Sequence, residues 1–182
     1  MQWTLKKSND ILKTVPFTVQ ALELIDNRTE QSVNHLFHRL KSPDWVNVMA
    51  LTDDKQAVLV KQQRAGTLEY TLETPGGVVD PGEDPKVTAL RELEEETGYS
   101  CQKLIKITQI NPNPAIMTNT LHMFLACGCA PKENRELFPD TNEDIEVVLK
   151  PSGQLDNLVR SQEINSALAA LTIYTSMPLW PK

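Results

Sequence analysis

Short apolar bursts separated by turn signals dominate this chain, and only two stretches carry a helical rhythm. Residues 45–51 (WVNVMAL) and 57–62 (AVLVKQ) are apolar runs parted by Asp53-Asp54, which predicts a hairpin of buried strands. Residues 68–74 form another short strand running into Pro75-Gly76-Gly77, and similar runs at 103–109, 121–127 and 145–149 read as strands. Upstream, PFTVQALELI alternates imperfectly and Asn27-Arg28 marks a turn, giving residues 1–42 strand character of their own. The first helical stretch follows Asp84, a good N-cap, with Pro85 at the first helical position and Gly98 as the stop. The second spans residues 153–177, with Leu155, Leu158, Val159, Ile164, Leu168 and Leu171 at helical spacing. Strands on both sides of a central helix, with a closing helix, predict a mixed α/β sandwich.

The central helix has an unusual charge pattern. At about 100° per residue, Val87, Ala89, Leu90, Leu93 and Thr97 gather on one side, the side expected to face the core. Glu92 and Glu96 lie roughly 40° apart with Glu95 beside them, while Glu94 falls elsewhere and reads as a solvated acid. Like charges three or four positions apart repel by about 0.2–0.5 kcal/mol per pair. The C-terminal end of a helix also carries partial negative charge and favours cations. Three carboxylates on one patch therefore point to a bound positive ion, and hard divalent cations prefer oxygen ligands of this kind. A merely solvated acidic face would leave Gly76, Gly77, Gly82 and Glu83 without a role, since glycines let a backbone turn tightly and approach a ligand.

Composition narrows the partners. The 182 residues suit one domain with a small appendage, and 40% hydrophobic with 23% charged residues matches an ordinary globular protein. A net charge of −6 argues against a nucleic-acid polymer as partner, yet admits a small phosphorylated substrate, because a bound cation inverts the local sign. No apolar run is long enough to span a membrane, and the polar N-terminus lacks a signal peptide's apolar region. Cys101, Cys127 and Cys129 form no C-x-x-C and read as buried thiols, which makes the cytoplasm the expected compartment. His35, His38 and His122 lack any metal-binding spacing.

The run from Gly77 to Tyr99, GVVDPGEDPKVTALRELEEETGY, resembles the Nudix box, G-x5-E-x7-R-E-U-x-E-E-x-G-U with U a bulky apolar residue. Gly77, Glu83, Arg91, Glu92, Leu93, Glu95, Glu96, Gly98 and Tyr99 fill its fixed positions in order; an aliphatic residue is commoner where Tyr99 stands. The resemblance implies a Nudix-type α/β/α sandwich with a mixed sheet. It further implies Mg²⁺ (Mn²⁺ as the alternative) held by Glu92, Glu95, Glu96 and a Gly76 carbonyl, with Glu83 and Arg91 orienting the acids. On this pattern residues 43–182 are the Nudix domain. Residues 1–42 are a strand-rich extension of the kind that helps sugar-nucleotide-cleaving relatives to dimerise, so a homodimer is expected.

Outside the box, VLVKQQRAGTLEYTLETPGG resembles the Gln-x-Arg and Glu-x-Pro-x-Gly pattern of the ADP-ribose and nucleoside diphosphate sugar pyrophosphatases. Asp44 to Val48 and Pro114, fifteen residues past the box, fit the same branch. The substrate-binding residues implied are Arg64, Gly77 and Pro114; an arginine fork suits phosphate oxygens, although composition alone would make Arg64 a surface charge. The branch often carries an acid soon after that proline, where this chain has Thr118, Asn119 and Thr120. The general base is therefore open between a box glutamate and Glu143, Asp144 or Glu146 in the later acidic cluster. The implied activity is hydrolysis of the pyrophosphate bond of ADP-ribose and related nucleoside diphosphate sugars, giving a nucleoside monophosphate and a sugar phosphate. The alternative is a nucleotide-binding regulator that keeps the fold without hydrolysis.

Overall fold

The computed structural model describes residues 1–132 and 145–181, which divide into two compact units. One consists of Met1–Asp44 with Ile110–Thr120, the other of Trp45–Gln109 with the chain from Leu121 onward.

The N-terminal unit is built on strands β1 (Trp3–Lys13), β2 (Thr18–Asp26), β3 (Gln31–Ser32) and β4 (Phe37–Lys41). β2 is the hub: β1 runs antiparallel along its whole length, while β3 and β4 take its other edge. Segment 110–120 joins through Leu40, whose N–H donates to the Ile116 carbonyl at 2.7 Å and whose carbonyl accepts from the Thr118 N–H at 3.1 Å. Asp44 secures the far end by accepting from the Thr120 N–H at 2.8 Å. The four strands lie within residues 3–41, and the unit they belong to also takes in 110–120. Every residue of β1 is exposed, and among the described residues this strand pairs with β2 alone.

The larger unit carries β5 (Trp45–Thr52), β6 (Gln56–Arg64), β7 (Glu69–Glu73), β8 (Gly76–Val78), α1 (Pro85–Thr97), β9 (Tyr99–Ser100), β10 (Lys103–Ile110), β11 (Leu121–Pro131), β12 (Glu146–Pro151), α2 (Leu155–Arg160) and α3 (Ala167–Ser176). Its sheet runs β10-β11-β5-β6-β12, with β7 added to β6, β8 to β5 and β9 to β11. The β11–β5 pair is parallel and the β5–β6 and β6–β12 pairs antiparallel, so the sheet is mixed. Side chains alternate between its faces as the period of two demands. Val46, Val48, Ala50, Phe124 and Ala126 pack with Ala89 and Leu93 of α1; Met49, Leu51, Leu59 and Leu125 pack with Leu155, Leu158, Ala169 and Ile173 of α2 and α3. The result is the α/β/α sandwich expected from the sequence.

Two expectations are corrected. The buried face of α1 is Thr88, Ala89, Leu93, Glu96 and Thr97, whereas Val87 and Leu90 are 54% and 41% exposed. At about 100° per residue that face centres between Ala89 and Glu96, which puts Glu96 inside the stripe rather than beside it. The single C-terminal helical stretch is in fact two helices. Gln162 takes a left-handed φ of 66°, closing α2, and the Ser166 hydroxyl caps α3 by accepting from the Ala169 N–H.

Candidate active site

Helix α1 is fixed at both ends by the residues the sequence suggested. Asp84 accepts from the Lys86 N–H, Pro85 occupies the first turn, and Gly98 at φ 68° returns its N–H to the Glu94 carbonyl. Full burial of Leu93, worth about 1.5–3 kcal/mol for such a side chain, anchors the helix to the sheet. Strand β8 lies antiparallel to the start of β5, pairing Gly76 with Asn47 and Gly77 with Val46.

This packing brings the glycines against the helix acids. The Gly76 N–H donates to Glu96 Oε2 at 2.9 Å. A Cβ at Gly76 would meet the Val46 carbonyl oxygen at 2.2 Å, and one at Gly77 would meet Glu92 Oε1 at 2.3 Å. The clash at Gly76 is with backbone, so that position requires glycine, whereas a side chain at Gly77 would push the Glu92 carboxylate aside. Asn47 supports the strand from below, with its side-chain amide donating to Thr74 Oγ1 at 3.2 Å.

Arg91 stands among the carboxylates. Its guanidinium reaches Glu83 at 3.3 Å, Glu92 at 2.9 Å and Glu95 at 2.8 Å. Burial works against the charge of Arg91, but Glu83 and Glu95 outweigh it and raise its pKa. Hydrogen bonds from Arg91 and Thr88 in turn hold the Glu83 carboxyl below its ordinary value, the Thr88 hydroxyl donating at 2.7 Å. Glu83, Arg91, Glu92, Glu95, Glu96, Gly76 and Gly77 are thus gathered in one place. Glu94, the acid read as solvated, lies apart and pairs with Lys132 at 2.5 Å.

The donor set suits a hard divalent cation. Glu92, Glu95 and Glu96 offer only oxygen, the fixed Gly76 strand holds Glu96 in place, and one guanidinium offsets only part of four neighbouring carboxylates. Among the described residues no three His, Cys, Asp or Glu side chains form a ready-made cage, consistent with Arg91 lying between Glu83, Glu92 and Glu95.

The other sequence candidates are placed as follows. Arg64, at the end of β6, makes a two-pronged pair with Glu73 at 2.9 Å and 3.0 Å. Pro114 lies in segment 110–120 and belongs to the N-terminal unit, whereas the box residues belong to the larger one. Glu146 begins β12 opposite Lys61, with which it pairs at 3.3 Å, its side chain 68% exposed. Glu143 and Asp144 lie outside the described residues. Cys101, Cys127 and Cys129 are free thiols, and burial pushes that of Cys129 up to about 12, leaving it inert.

Sequence reasoning missed Thr88, Asn47 and Glu73. Glu73 sat inside the Glu-x-Pro-x-Gly pattern, the one signal available for it. Thr88 and Asn47 look like ordinary helix and strand residues until Glu83 and Gly76 are placed beside them.

A NUDIX domain model matches residues 41–164. An ADP-ribose pyrophosphatase of Bacillus subtilis (strain 168) is 40% identical over 135 residues, 74% of this chain and 72% of that protein. A methanol dehydrogenase activator of Bacillus methanolicus is 34% identical over 122 residues, 67% of this chain and 63% of that one. A crystal structure of an ADP compounds hydrolase superposes with a TM-score of 0.84 at 21% identity, covering 98% of this chain and 94% of that one, a likeness of fold. With a complete box folded into a single cluster and a family model over more than half its length, the chain belongs to the Nudix hydrolase superfamily.

Proposed function

We propose that this protein hydrolyses the pyrophosphate bond of ADP-ribose and related nucleoside diphosphate sugars, releasing a nucleoside monophosphate and a sugar phosphate. General pyrophosphohydrolase chemistry on nucleotides that carry a diphosphate goes with the family; the substrate class is the finer step. One observation carries the reading: Glu83, Glu92 and Glu95 converge on Arg91 while Glu96 is held by the Gly76 N–H. A bound cation would relieve the repulsion that the single Arg91 guanidinium only partly offsets. The name of the Bacillus subtilis relative supports ADP-ribose as the first substrate to test.

In this reading water adds to one phosphorus of the diphosphate, the bridging P–O bond breaks, and each product leaves as a phosphate monoester. Mg²⁺, with Mn²⁺ as the alternative, would be held by Glu92, Glu95, Glu96 and the Gly76 carbonyl, and supplies neutralisation of the diphosphate and acidification of bound water. Arg91 and Glu83 fix the orientation of the acids, and Thr88 fixes Glu83. Arg64 holds diphosphate oxygens through its planar fork, and Gly77 gives the substrate room beside Glu92. The proton from water passes to a box glutamate or to Glu143, Asp144 or Glu146 of the later acidic cluster.

Pro114 remains a candidate substrate-binding residue, and we take the enzyme to be a cytoplasmic homodimer. No helix among the described residues is long and apolar enough to cross a membrane. The deciding experiment incubates the protein with Mg²⁺ and ADP-ribose, ADP-glucose, GDP-mannose, UDP-glucose or a dinucleotide, and separates the products. AMP and ribose 5-phosphate from ADP-ribose are expected. The name of the Bacillus methanolicus relative keeps a regulatory reading in view; ADP-ribose bound yet recovered intact would favour it.

A further inference from the structure

The reaction as read above leaves one buried carboxylate unused. Glu73 is 8% exposed. The β6–β7 register sets Gln62 opposite Thr71 and Arg64 opposite Glu69, so Arg64, Thr71 and Glu73 share one face. Arg64 reaches along that face and donates from Nε to Glu73 Oε1 at 2.9 Å and from Nη2 to Oε2 at 3.0 Å. The Thr71 hydroxyl donates to Oε1 as well, and the Ser166 hydroxyl, which also caps α3, is a further hydrogen-bond partner. A carboxylate this deep persists only when paired and fully hydrogen-bonded.

The pair is lopsided. The Glu73 side chain is 10% exposed and that of Arg64 45%, so a fixed anion grips one edge of a guanidinium that remains half in solvent. The chain leads directly from Glu73 through Thr74 and Pro75 to Gly76, whose N–H holds Glu96. The anchor of Arg64 and the carboxylate cluster are therefore joined by two intervening residues.

We propose that Glu73 is a positioning residue: held by Thr71 and Ser166, it fixes the Arg64 guanidinium in the one orientation that receives a diphosphate. The inference rests on the reading of Arg64 as a diphosphate ligand and adds what aims it. An unclamped arginine samples many rotamers, and freezing it beforehand lowers the cost of binding.

The test is a double-mutant cycle with ADP-ribose and Mg²⁺, backed by calorimetric titration of ADP-ribose in EDTA and by thermal melts. Glu73→Gln keeps shape and removes the charge; KM and Kd should rise about tenfold while kcat changes less than about threefold. In an Arg64→Ala background the same substitution should add nothing. Thr71→Val, a milder loosening of Glu73, should raise KM in the same direction by a smaller factor. An equal rise with and without Arg64 would make Glu73 merely structural and overturn the proposal. An unchanged KM in Glu73→Gln, with Arg64→Ala impaired, would overturn it while leaving Arg64 as a diphosphate ligand. If Arg64→Ala is unimpaired, the Arg64 reading and this proposal fall together. Should Glu73→Gln not fold, Thr71→Val decides alone, and an unchanged KM there overturns the proposal.

Discussion

The backbone N–H of Gly76 donates to Glu96 Oε2 at 2.9 Å, tying strand β8 to the last turn of α1. Glu96 is 6% exposed, so its carboxylate faces inward, toward the glycine strand and away from bulk water. Glu96→Gln preserves an oxygen for that N–H and removes the charge. Turnover with saturating Mg²⁺ should fall by more than about 100-fold, with the circular dichroism spectrum unchanged. Metal-free protein should melt slightly higher than wild type, because repulsion in the last turn is relieved. Near-normal turnover would remove Glu96 from the site.

Gly77→Ala tests the close approach beside Glu92. The added Cβ would fall 2.3 Å from Glu92 Oε1, displacing the carboxylate, whereas Gly66 has nothing within 4 Å of a new Cβ. Steady-state rates should drop at least about tenfold for Gly77→Ala and stay at the wild-type level for Gly66→Ala. Equal rates in the two variants would mean that Glu92 can move without consequence.

Arg64→Lys replaces a planar fork by a point charge and takes from Glu73 one of the two hydrogen bonds that the fork supplies. A fall in kcat/KM for ADP-ribose of about tenfold is expected, together with a lower melting temperature, because the buried Glu73 loses part of its pairing. Unchanged kinetics would return Arg64 to the role of a surface cation.

The Glu73 carboxyl also gives the stability a pH signature. Burial raises its pKa, but hydrogen bonds from Arg64 and Thr71 outweigh burial and hold it below the ordinary value of 4.5. A depressed folded-state pKa stabilises the fold above the unfolded value, and that contribution is lost as pH falls through the folded one. Wild type should therefore melt higher than Glu73→Gln at pH 7, and the gap should close as the pH is taken well below 4.5. A gap independent of pH would contradict the assignment.

The N-terminal unit predicts a homodimer. Trp3, Leu5, Ile11 and Leu12 are 42–57% exposed on β1, an eleven-residue edge strand that offers this apolar surface to a partner. Light scattering should give about twice the 20.5 kDa protomer mass at micromolar concentration. Removal of residues 1–14 should yield a monomer with a raised KM. A full-length protein that scatters as a monomer would end this proposal.

Much of this was legible in the residues, and the gaps have physical causes. The caps of α1 are local chemistry, so Asp84, Pro85 and Gly98 announced themselves. The carboxylate cluster was legible because the helix repeat brings Glu92, Glu95 and Glu96 to one flank. The burial of Glu96 was not, because a hydrophobic stripe is recognised by apolar side chains and a carboxylate at its centre breaks the rule. The break between α2 and α3 hid for a similar reason: Gln162 adopts a glycine-like φ that no propensity announces. Glu73 and Thr88 depend on partners distant in sequence or identifiable only after folding.

Strand β1 has a consequence for how the protein would look to deuterium. Its residues pair with β2 along one edge, and successive amides in an antiparallel ladder point alternately toward and away from that neighbour. In a lone protomer the outward-pointing amides of β1, whose alternation shifts at the irregularities between Leu5 and Lys7 and between Asp10 and Leu12, would exchange at close to the rate of an unstructured peptide, and the inward-pointing ones slowly. Protection of the fast set that grows with protein concentration would mark the outer edge as a surface one chain leaves for another to finish.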